Sequence, residues 1–271
     1  MSTANELFTT IIPTYEEVKN IGQMIGRLSE LYSGMNILVM DDGSKDGTVQ
    51  AVEDIASRDP HVRIVVRDGR VRGLTASVVD GILITTTPFY LVMDADFQHP
   101  PEVLKDMMLE LDRGAGMVIG KRHHKQALKG SRRVSSDAAQ TMAHLYLRLH
   151  RQPHPQDIMS GLFGSHTKSS QEIIEKHGKS FESKGYKVLF DLLKFVPKDC
   201  TVKEVEYQFG NRRDGASKLS PLVITSILRQ CGVLGKMAAA LANTFILKRS
   251  GQVMLLSMFV LLLVAAVFIS A

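Results

Sequence analysis

Asp94 and Asp96 stand one residue apart, and Gln98 follows two residues later, in the stretch Asp94-Ala95-Asp96-Phe97-Gln98-His99-Pro100-Pro101-Glu102. The apolar run Phe89-Tyr90-Leu91-Val92-Met93 before them predicts a buried strand. The two carboxylates then lie at the carboxyl end of a strand, where a parallel α/β sheet opens its ligand crevice. Alternation along an extended chain points both to one side. Converging carboxylates repel each other unless a cation or a donor lies between them. Oxygen ligands together with an amide suit Mg²⁺ or Mn²⁺, with phosphate oxygens completing the shell. The chemistry indicated is a metal-bridged nucleotide diphosphate. The same residues also satisfy a plain helix start, with a Pro-Pro opening and acidic side chains near its N-terminus.

Two more strand ends are placed to complete a nucleotide pocket. Pro13-Thr14-Tyr15-Glu16 leaves a first strand, and Met40-Asp41-Asp42 ends a second. A base needs acceptors for its ring N–H groups and an apolar or aromatic wall. A diphosphate needs a metal or cations, because desolvating its charge alone is costly. Taken singly, Asp41-Asp42-Gly43-Ser44 also reads as a helix cap.

The elements that position these residues follow from hydrophobic period. Strands are expected at Leu7 to Ile12, Asn36 to Met40, Arg63 to Val66, Phe89 to Met93 and Met117 to Ile119. Helices are expected at Glu16 to Tyr32, Val49 to Ser57, Thr75 to Thr86 and Pro101 to Arg113. Val18, Ile21, Ile25 and Leu28 mark one face of the first of these. Strand and helix alternate at the spacing of βαβ units, which predicts a mostly parallel sheet with crossover helices. Lys121 to Arg133 reads as a basic loop. Helices are expected at Ser135 to His150 and within Phe181 to Phe195, and a strand at Val202 to Phe209.

The 271 residues suffice for one large α/β domain with an appendage. A net charge of +5 fits phosphate-bearing partners or an anionic membrane surface. That excess is small, no tryptophan is present and no basic-aromatic interleaving occurs, so nucleic-acid binding is not expected. Cys200 and Cys231 lack the spacing of a zinc site or a disulfide framework and read as small buried hydrophobes. The amino terminus carries no basic segment of a signal peptide. Pro221 to Leu247 is apolar and nearly free of acids, which suits helices in a membrane interface and equally an ordinary packed pair. Gly251 to Ala271 has no charged residue, and as a helix it spans roughly 31 Å, about one hydrocarbon core. A transmembrane span is expected there, as a tail anchor or the first part of a longer membrane region. Lys248 and Arg249 precede it, so the large domain is expected on the cytoplasmic side.

Pro13-Thr14-Tyr15-Glu16-Glu17, Asp41 to Thr48 and Asp94 to Glu102 together resemble family 2 glycosyltransferases of the GT-A fold. The Gln98-to-Glu102 ending, Lys184-Gly185-Tyr186-Lys187 and Arg212-Arg213-Asp214-Gly215-Ala216-Ser217-Lys218-Leu219 are similar to the polyprenyl-phosphate mannose synthase subgroup. The likeness runs from about Leu7 to Leu219. It implies a Rossmann-like, mostly parallel GT-A catalytic domain over residues 1–220, to which the composition adds amphipathic interface helices over 221–250 and a transmembrane helix over 251–271. It implies inverting, metal-dependent transfer of mannose from GDP-mannose to a polyprenyl (dolichyl) phosphate, with Mg²⁺ or Mn²⁺ as cofactor, membrane lipid as surroundings and room for membrane partner subunits.

The resemblance also assigns residues. Pro13, Tyr15, Glu17, Met40 and Asp42 match positions that hold the guanosine part, Glu17 being preferred to Glu16 on spacing. Asp94, Ala95, Asp96 and Gln98 match the metal and diphosphate site, with Asp94, Asp96 and Gln98 as metal ligands. Arg122 matches an arginine facing the nucleotide sugar. Arg212 and Lys218 match late cations that close over the phosphates. Asp96, Arg122, Arg212 and Lys218 are the expected catalytic set. Arg132 and Ser136, one helical turn apart, match the lipid-phosphate site, although the surrounding residues also read as a solvated basic loop. A polyprenyl phosphate oxygen is already an anion, so such a reaction needs positioning more than a strong general base. The stretch Asp157 to Gly164 lacks the arginine that family members often carry, and Asp137 follows Ser136 where a basic residue is common. Two other functions fit the same residues: transfer of glucose from UDP-glucose to a lipid phosphate, and a catalytically silent membrane subunit that binds nucleotide sugar.

Overall fold

The computed structural model describes residues 2–123, 131–182, 187–210 and 229–230. Strand β1 (Phe8–Thr14) is buried along its whole length and forms the centre of the sheet. It pairs in parallel with β2 (Asn36–Asp41) on one side and β4 (Phe89–Val92) on the other. Strand β3 (Val62–Val66) extends the β2 edge, again in parallel. Helix α1 (Val18–Leu31) joins β1 to β2 and buries Ile21, Met24, Ile25 and Leu28, the face that its spacing predicts. Helices α2 (Thr48–Ala56) and α3 (Leu74–Ile84) make the next two crossovers. A short 3₁₀ turn at Pro101–Val103 leads into α4 (Leu104–Asp112), which delivers the chain to β5 (Met117–Arg122).

The second half departs from simple alternation. Helix α5 (Ser131–Leu149) is followed by the short strand β6 (Phe163–His166), helix α6 (Thr167–His177), helix α7 (Val188–Leu193) and strand β7 (Val202–Tyr207). Strand β6 inserts between β4 and β5 and runs antiparallel to both. The strand order is β3-β2-β1-β4-β6-β5-β7. Because β6 opposes both neighbours, β4 and β5 run the same way, and their carboxyl ends open on the same edge as those of β1 and β2. Two apolar layers cover the faces. One joins α1, α2 and α4 to the sheet, and the other joins α3, α5, α6 and α7 to it.

The expected α/β, mostly parallel architecture is therefore present, with three corrections. Strand β6 and helix α6 had no counterpart in the periodicity. Lys121 and Arg122 are not in a loop but end β5, where Lys121 pairs with Glu206 of β7 at 2.6 Å. Ser131 to Arg133, the end of the same expected loop, open α5, which starts four residues earlier than its period suggests. Among the described residues no helix is long and apolar enough to cross a membrane. The expected interface helices and transmembrane span lie outside the described residues, apart from Arg229 and Gln230, and so does Cys231. Cys200 is a free, half-buried thiol.

Gly164 is what lets β6 fit. A Cβ there would stand 2.6 Å from the Tyr90 carbonyl oxygen and 2.6 Å from Leu91 Cδ2. The carbonyl belongs to the β4 backbone and cannot step aside. Gly164→Ala is expected to destabilise the fold by about 1–3 kcal/mol, seen as a lower urea midpoint at unchanged slope.

Candidate functional site

The carboxyl ends of β1, β2, β4 and β5 enclose a cavity of about 590 Å³. Its first wall is the β1–β2 side. Asp41 is wholly buried and organises the turn: its Oδ1 accepts the Gly43 and Ser44 N–H groups at 3.0 and 2.7 Å, and its Oδ2 accepts the Thr14 hydroxyl at 2.9 Å. Asp41 thus fixes a turn and caps no helix, since α2 begins at Thr48 after Gly47 with no side-chain cap, while Asp42 lines the cavity. The Ser44 hydroxyl accepts the Glu16 N–H at 2.7 Å, and the Thr48 hydroxyl accepts the Glu17 N–H at 2.9 Å. These bonds hold the chain after β1 over the turn, with Glu16 at a positive φ of 56°. Tyr15 and Glu17 face the cavity as a result, and Glu16 does not.

Asp42 is held from three directions. The Arg67 guanidinium and the Ser77 hydroxyl donate to Oδ1, the latter at 2.8 Å, and the Gly73 N–H donates to Oδ2 at 2.9 Å. Arg67 is itself buried and also binds Asp80 at 2.9 Å. The carboxylate is thereby neutralised and fixed with one edge toward the cavity. Arg72 lies over the Tyr15 ring, 5.4 Å from its centroid. Arg67, Arg72, Gly73 and Ser77 were not among the expected site residues. The pairing of β3 with β2 brings Arg67 there, and the packing of α3 on the β2 end brings Gly73 and Ser77.

The acidic centre follows β4. That strand ends at Val92, so strand alternation does not set the directions of Asp94 and Asp96. A turn does: Asp96 Oδ1 accepts the Gln98 N–H at 3.0 Å, and Phe97 takes a positive φ of 60°. Asp94, Ala95, Asp96 and Gln98 all line the cavity. The Asp96 residue is 3% exposed, whereas the Asp94 side chain is 38% exposed. His99 is buried behind them, with Nε2 3.4 Å from Asp94 Oδ2 and Nδ1 2.7 Å from the Tyr207 hydroxyl. Gly161 makes this approach feasible, since a Cβ there would lie 3.1 Å from Asp94 Oδ2 and 3.3 Å from His99 Nε2.

This donor set fits a hard divalent cation. Among the described residues no three or more His, Cys, Asp or Glu side chains group so as to hold a metal ion by themselves. Two carboxylates and an amide on a cavity wall leave the remaining positions to phosphate oxygens and water, which is how Mg²⁺ is ordinarily held.

Arg122, at the end of β5, forms the opposite wall. Its Nε and Nη2 donate to the two Asp157 oxygens, each at 2.7 Å, and its ring contact is Phe209 at 5.5 Å. Burial alone would raise the Asp157 carboxyl, but the Arg122 hydrogen bonds and charge outweigh it and hold it below the usual carboxylate range. Lys187, the residue before α7, lines the cavity beside this pair and donates from Nζ to the Met159 carbonyl at 2.7 Å. Desolvation, with the Arg122 charge adding to it and Asp94 and Asp157 opposing, lowers its ammonium to about 8.

The family model of Glycosyl transferase family 2 matches residues 9–178. The chain belongs to glycosyl transferase family 2. Among its relatives is a protein of Mycosarcoma maydis named dolichol-phosphate mannosyltransferase, 30% identical over 96% of this chain and 86% of its own length. A protein of the same name from Saccharomyces cerevisiae is 32% identical over 82% of this chain and 85% of its own. Among solved structures, glucosyl-3-phosphoglycerate synthase from Mycobacterium tuberculosis, in complex with Mn²⁺, uridine diphosphate and phosphoglyceric acid, superposes with a TM-score of 0.62 at 21% identity, over 86% of this chain and 81% of that one. The shared fold is the GT-A arrangement described above.

Within this family 2 domain the cavity unites Pro13, Tyr15, Glu17, Asp42, Asp94, Ala95, Asp96, Gln98 and Arg122. Met40 is not brought to it. It is wholly buried in the apolar layer under α3, close against Gly81. Met40 and Asp42 share one side of β2, but Asp42 stands past the end of the strand at the open edge, whereas Met40 lies within the strand and is covered by α3. Arg132 and Ser136 lie on the first two turns of α5. Arg212 and Lys218 lie outside the described residues. Asp157, Lys187 and His99 complete the cavity wall or its backing without having been expected, although the Asp157 stretch and the Lys184-to-Lys187 motif had both stood out in the sequence.

Asp157→Asn leaves Arg122 buried against a neutral partner and is expected to cost about 3 kcal/mol or more. Because the folded Asp157 pKa is depressed, its contribution is complete above the unfolded carboxylate value, near 4, and is lost as pH falls through the lower folded value. The wild-type minus variant difference in unfolding free energy should therefore be flat above about pH 5 and shrink below about pH 4, as measured by urea titration at each pH.

Proposed function

We propose that this chain transfers mannose from GDP-mannose to a polyprenyl phosphate, inverting the anomeric carbon. The observation that carries the reading is that one cavity holds Tyr15, Glu17 and Asp42 on the β1–β2 side, Asp94, Asp96 and Gln98 at its centre and Arg122 on the β5 side. The dolichol-phosphate mannosyltransferase names of relatives at 30% and 32% identity support the acceptor and the sugar. The two fungal relatives each align over more than four-fifths of their own lengths, so the likeness extends over most of each protein.

The residues divide the task by position. Tyr15, stacked under Arg72, supplies a flat wall for the base, and Glu17 and Asp42 supply acceptors for its ring N–H groups. Asp42 can do this with little reorganisation, because Arg67, Ser77 and Gly73 already fix it. Asp94, Asp96 and Gln98 would hold Mg²⁺ or Mn²⁺, which when bound supplies positive charge to the departing diphosphate. A neighbour of the same fold binds Mn²⁺ together with uridine diphosphate, which supports a divalent ion here. Arg122, locked to Asp157, offers its remaining N–H groups to the sugar side of the cavity. Arg132 and Ser136 of α5, with Arg212 and Lys218, are assigned to the acceptor and donor phosphates. The acceptor phosphate is already an anion, so these groups have to orient it against the sugar carbon and offset the repulsion between two phosphates. Residues 221–250 and 251–271 would keep the 1–220 domain at the membrane, on its cytoplasmic side, where a polyprenyl tail resides.

The test is lipid-product analysis after mixing the full chain, a polyprenyl phosphate, Mg²⁺ or Mn²⁺, and labelled GDP-mannose or labelled UDP-glucose. A glycolipid from GDP-mannose alone, abolished by chelation, is expected. A product from UDP-glucose alone would replace the donor, and no product from either would leave a silent binding subunit. Asp96→Ala should lower transfer by about a thousandfold or more while keeping the thermal midpoint, and unchanged turnover in that variant would remove the metal from the reading.

A further inference from the structure

We propose that Gln230 keys the apolar 221–247 stretch to the catalytic domain, in a socket made by Asp191, Lys194 and the Lys187 carbonyl, and that this joint aligns the cavity with the bilayer that holds the lipid acceptor. The socket stands on geometry alone, and its use in alignment rests on the transfer reading above.

Gln230 and Asn243 are the two carboxamides in the apolar stretch Pro221 to Leu247. Burying such a group is costly unless its hydrogen bonds are met. Gln230 is 2% exposed, and its bonds are met by α7. Its side-chain amide donates to Asp191 Oδ2 at 2.8 Å and to the Lys187 carbonyl at 3.1 Å. Its own main-chain carbonyl accepts the Lys194 ammonium at 2.8 Å. Lys194 also lies 2.6 Å from Asp191 Oδ1. One residue thus meets both members of a buried charged pair, with its side chain on the acid and its backbone on the base. The partners stand thirty-six to forty-three residues apart in the chain.

The socket is rigid. Val188 to Leu193 are all buried, and Asp191 has no exposed surface. The Glu182 N–H donates to Asp191 Oδ2 at 3.1 Å, and Lys194 Nζ lies 5.5 Å from the ring centroids of both Phe190 and Phe195. A buried ion pair adds little stability over apolar packing, but it admits few arrangements of its neighbours. A lone polar residue in an apolar segment likewise fixes register, because a slip by one position leaves its donors and acceptors unmet. Asp191, Lys194 and Gln230 do not line the cavity, so ligand contact does not account for them. The joint still reaches the cavity rim, because Lys187, whose carbonyl receives the Gln230 amide, lines that cavity. Under the transfer reading, a phosphate held in the bilayer must meet a sugar held at the sheet edge. A fixed joint between the two raises their effective concentration.

The experiment compares wild type with Gln230→Leu, each as the full chain in phosphatidylcholine vesicles. Transfer from GDP-mannose is measured to a long-chain polyprenyl phosphate in the bilayer and to a short-chain prenyl phosphate dissolved in water. Gln230→Leu should lower transfer to the long-chain acceptor about tenfold, and change transfer to the short-chain acceptor and affinity for GDP with Mn²⁺ by less than about twofold. Trypsin reads the joint directly. Cleavage after Arg229, followed by mass spectrometry well below either thermal midpoint, should be about tenfold faster in Gln230→Leu. Gln230→Asn keeps the amide but shortens its reach, and should give the same pattern if Gln230→Leu does not fold. Equal losses with both acceptors overturn the proposal, because they make Gln230 a plain support of the cavity wall. So does unchanged transfer to the long-chain acceptor, and so does cleavage after Arg229 no faster than in wild type. If wild type makes no lipid product, the transfer reading fails by itself, and the cleavage rate still judges the joint.

Discussion

Negative charge gathered at one edge of the sheet is the constraint on which the rest of the structure depends. Asp42, Asp94, Asp96 and Asp157 all come to the carboxyl ends of the strands, where side chains are partly withdrawn from water. Carboxylates at such a place are stable only with compensation. The fold supplies it locally at both walls. Arg67 and the α3 N-terminus hold Asp42, and Arg122 holds Asp157 with both oxygens engaged. With Asp42 and Asp157 each paired to an arginine, the acidic centre after β4 is the part of the cavity suited to a cation and its phosphates.

The antiparallel strand β6 is the device that makes room for this arrangement. By separating β5 from β4 it widens the edge, so that Arg122 and Lys187 face the acidic turn across the cavity. The insertion depends on close approach. Gly164 passes the β4 backbone where no Cβ fits, and Gly161 passes more loosely beside the Asp94 and His99 side chains. The segment leading into β6 also carries Asp157, so the strand that spaces the sheet and the carboxylate that anchors Arg122 are one piece of chain. Ser160 ties this piece to β5 through the Gly120 carbonyl at 2.7 Å.

Several elements were legible in the amino-acid order because each is fixed by near neighbours. The apolar runs Ile37 to Met40 and Phe89 to Val92 can only be buried strands, and the Ile21, Ile25, Leu28 spacing can only bury one face of a helix. The acidic turn after β4 and the Asp41–Asp42 turn after β2 follow from residue type and place. By contrast β6 has four residues, one of them glycine and one histidine, and no period to betray it. It exists because its backbone completes the hydrogen bonds of β4 and β5.

The sequence by itself thus determined the α/β class, the order of crossovers, family membership and the acidic residues that can meet a metal and a diphosphate, since all of these reside in local pattern. Tertiary structure alone decided which side chains share the cavity and which partners they meet there. Met40 goes to the core rather than the cavity because α3 covers it, and Asp94 and Asp96 converge through a turn rather than along a strand. Arg122 is spent on Asp157 and Lys187 is left with a neutral carbonyl, across separations of thirty-five and twenty-eight residues. Pairing across such distances depends on how sheet and helices pack, and no short-range pattern encodes it.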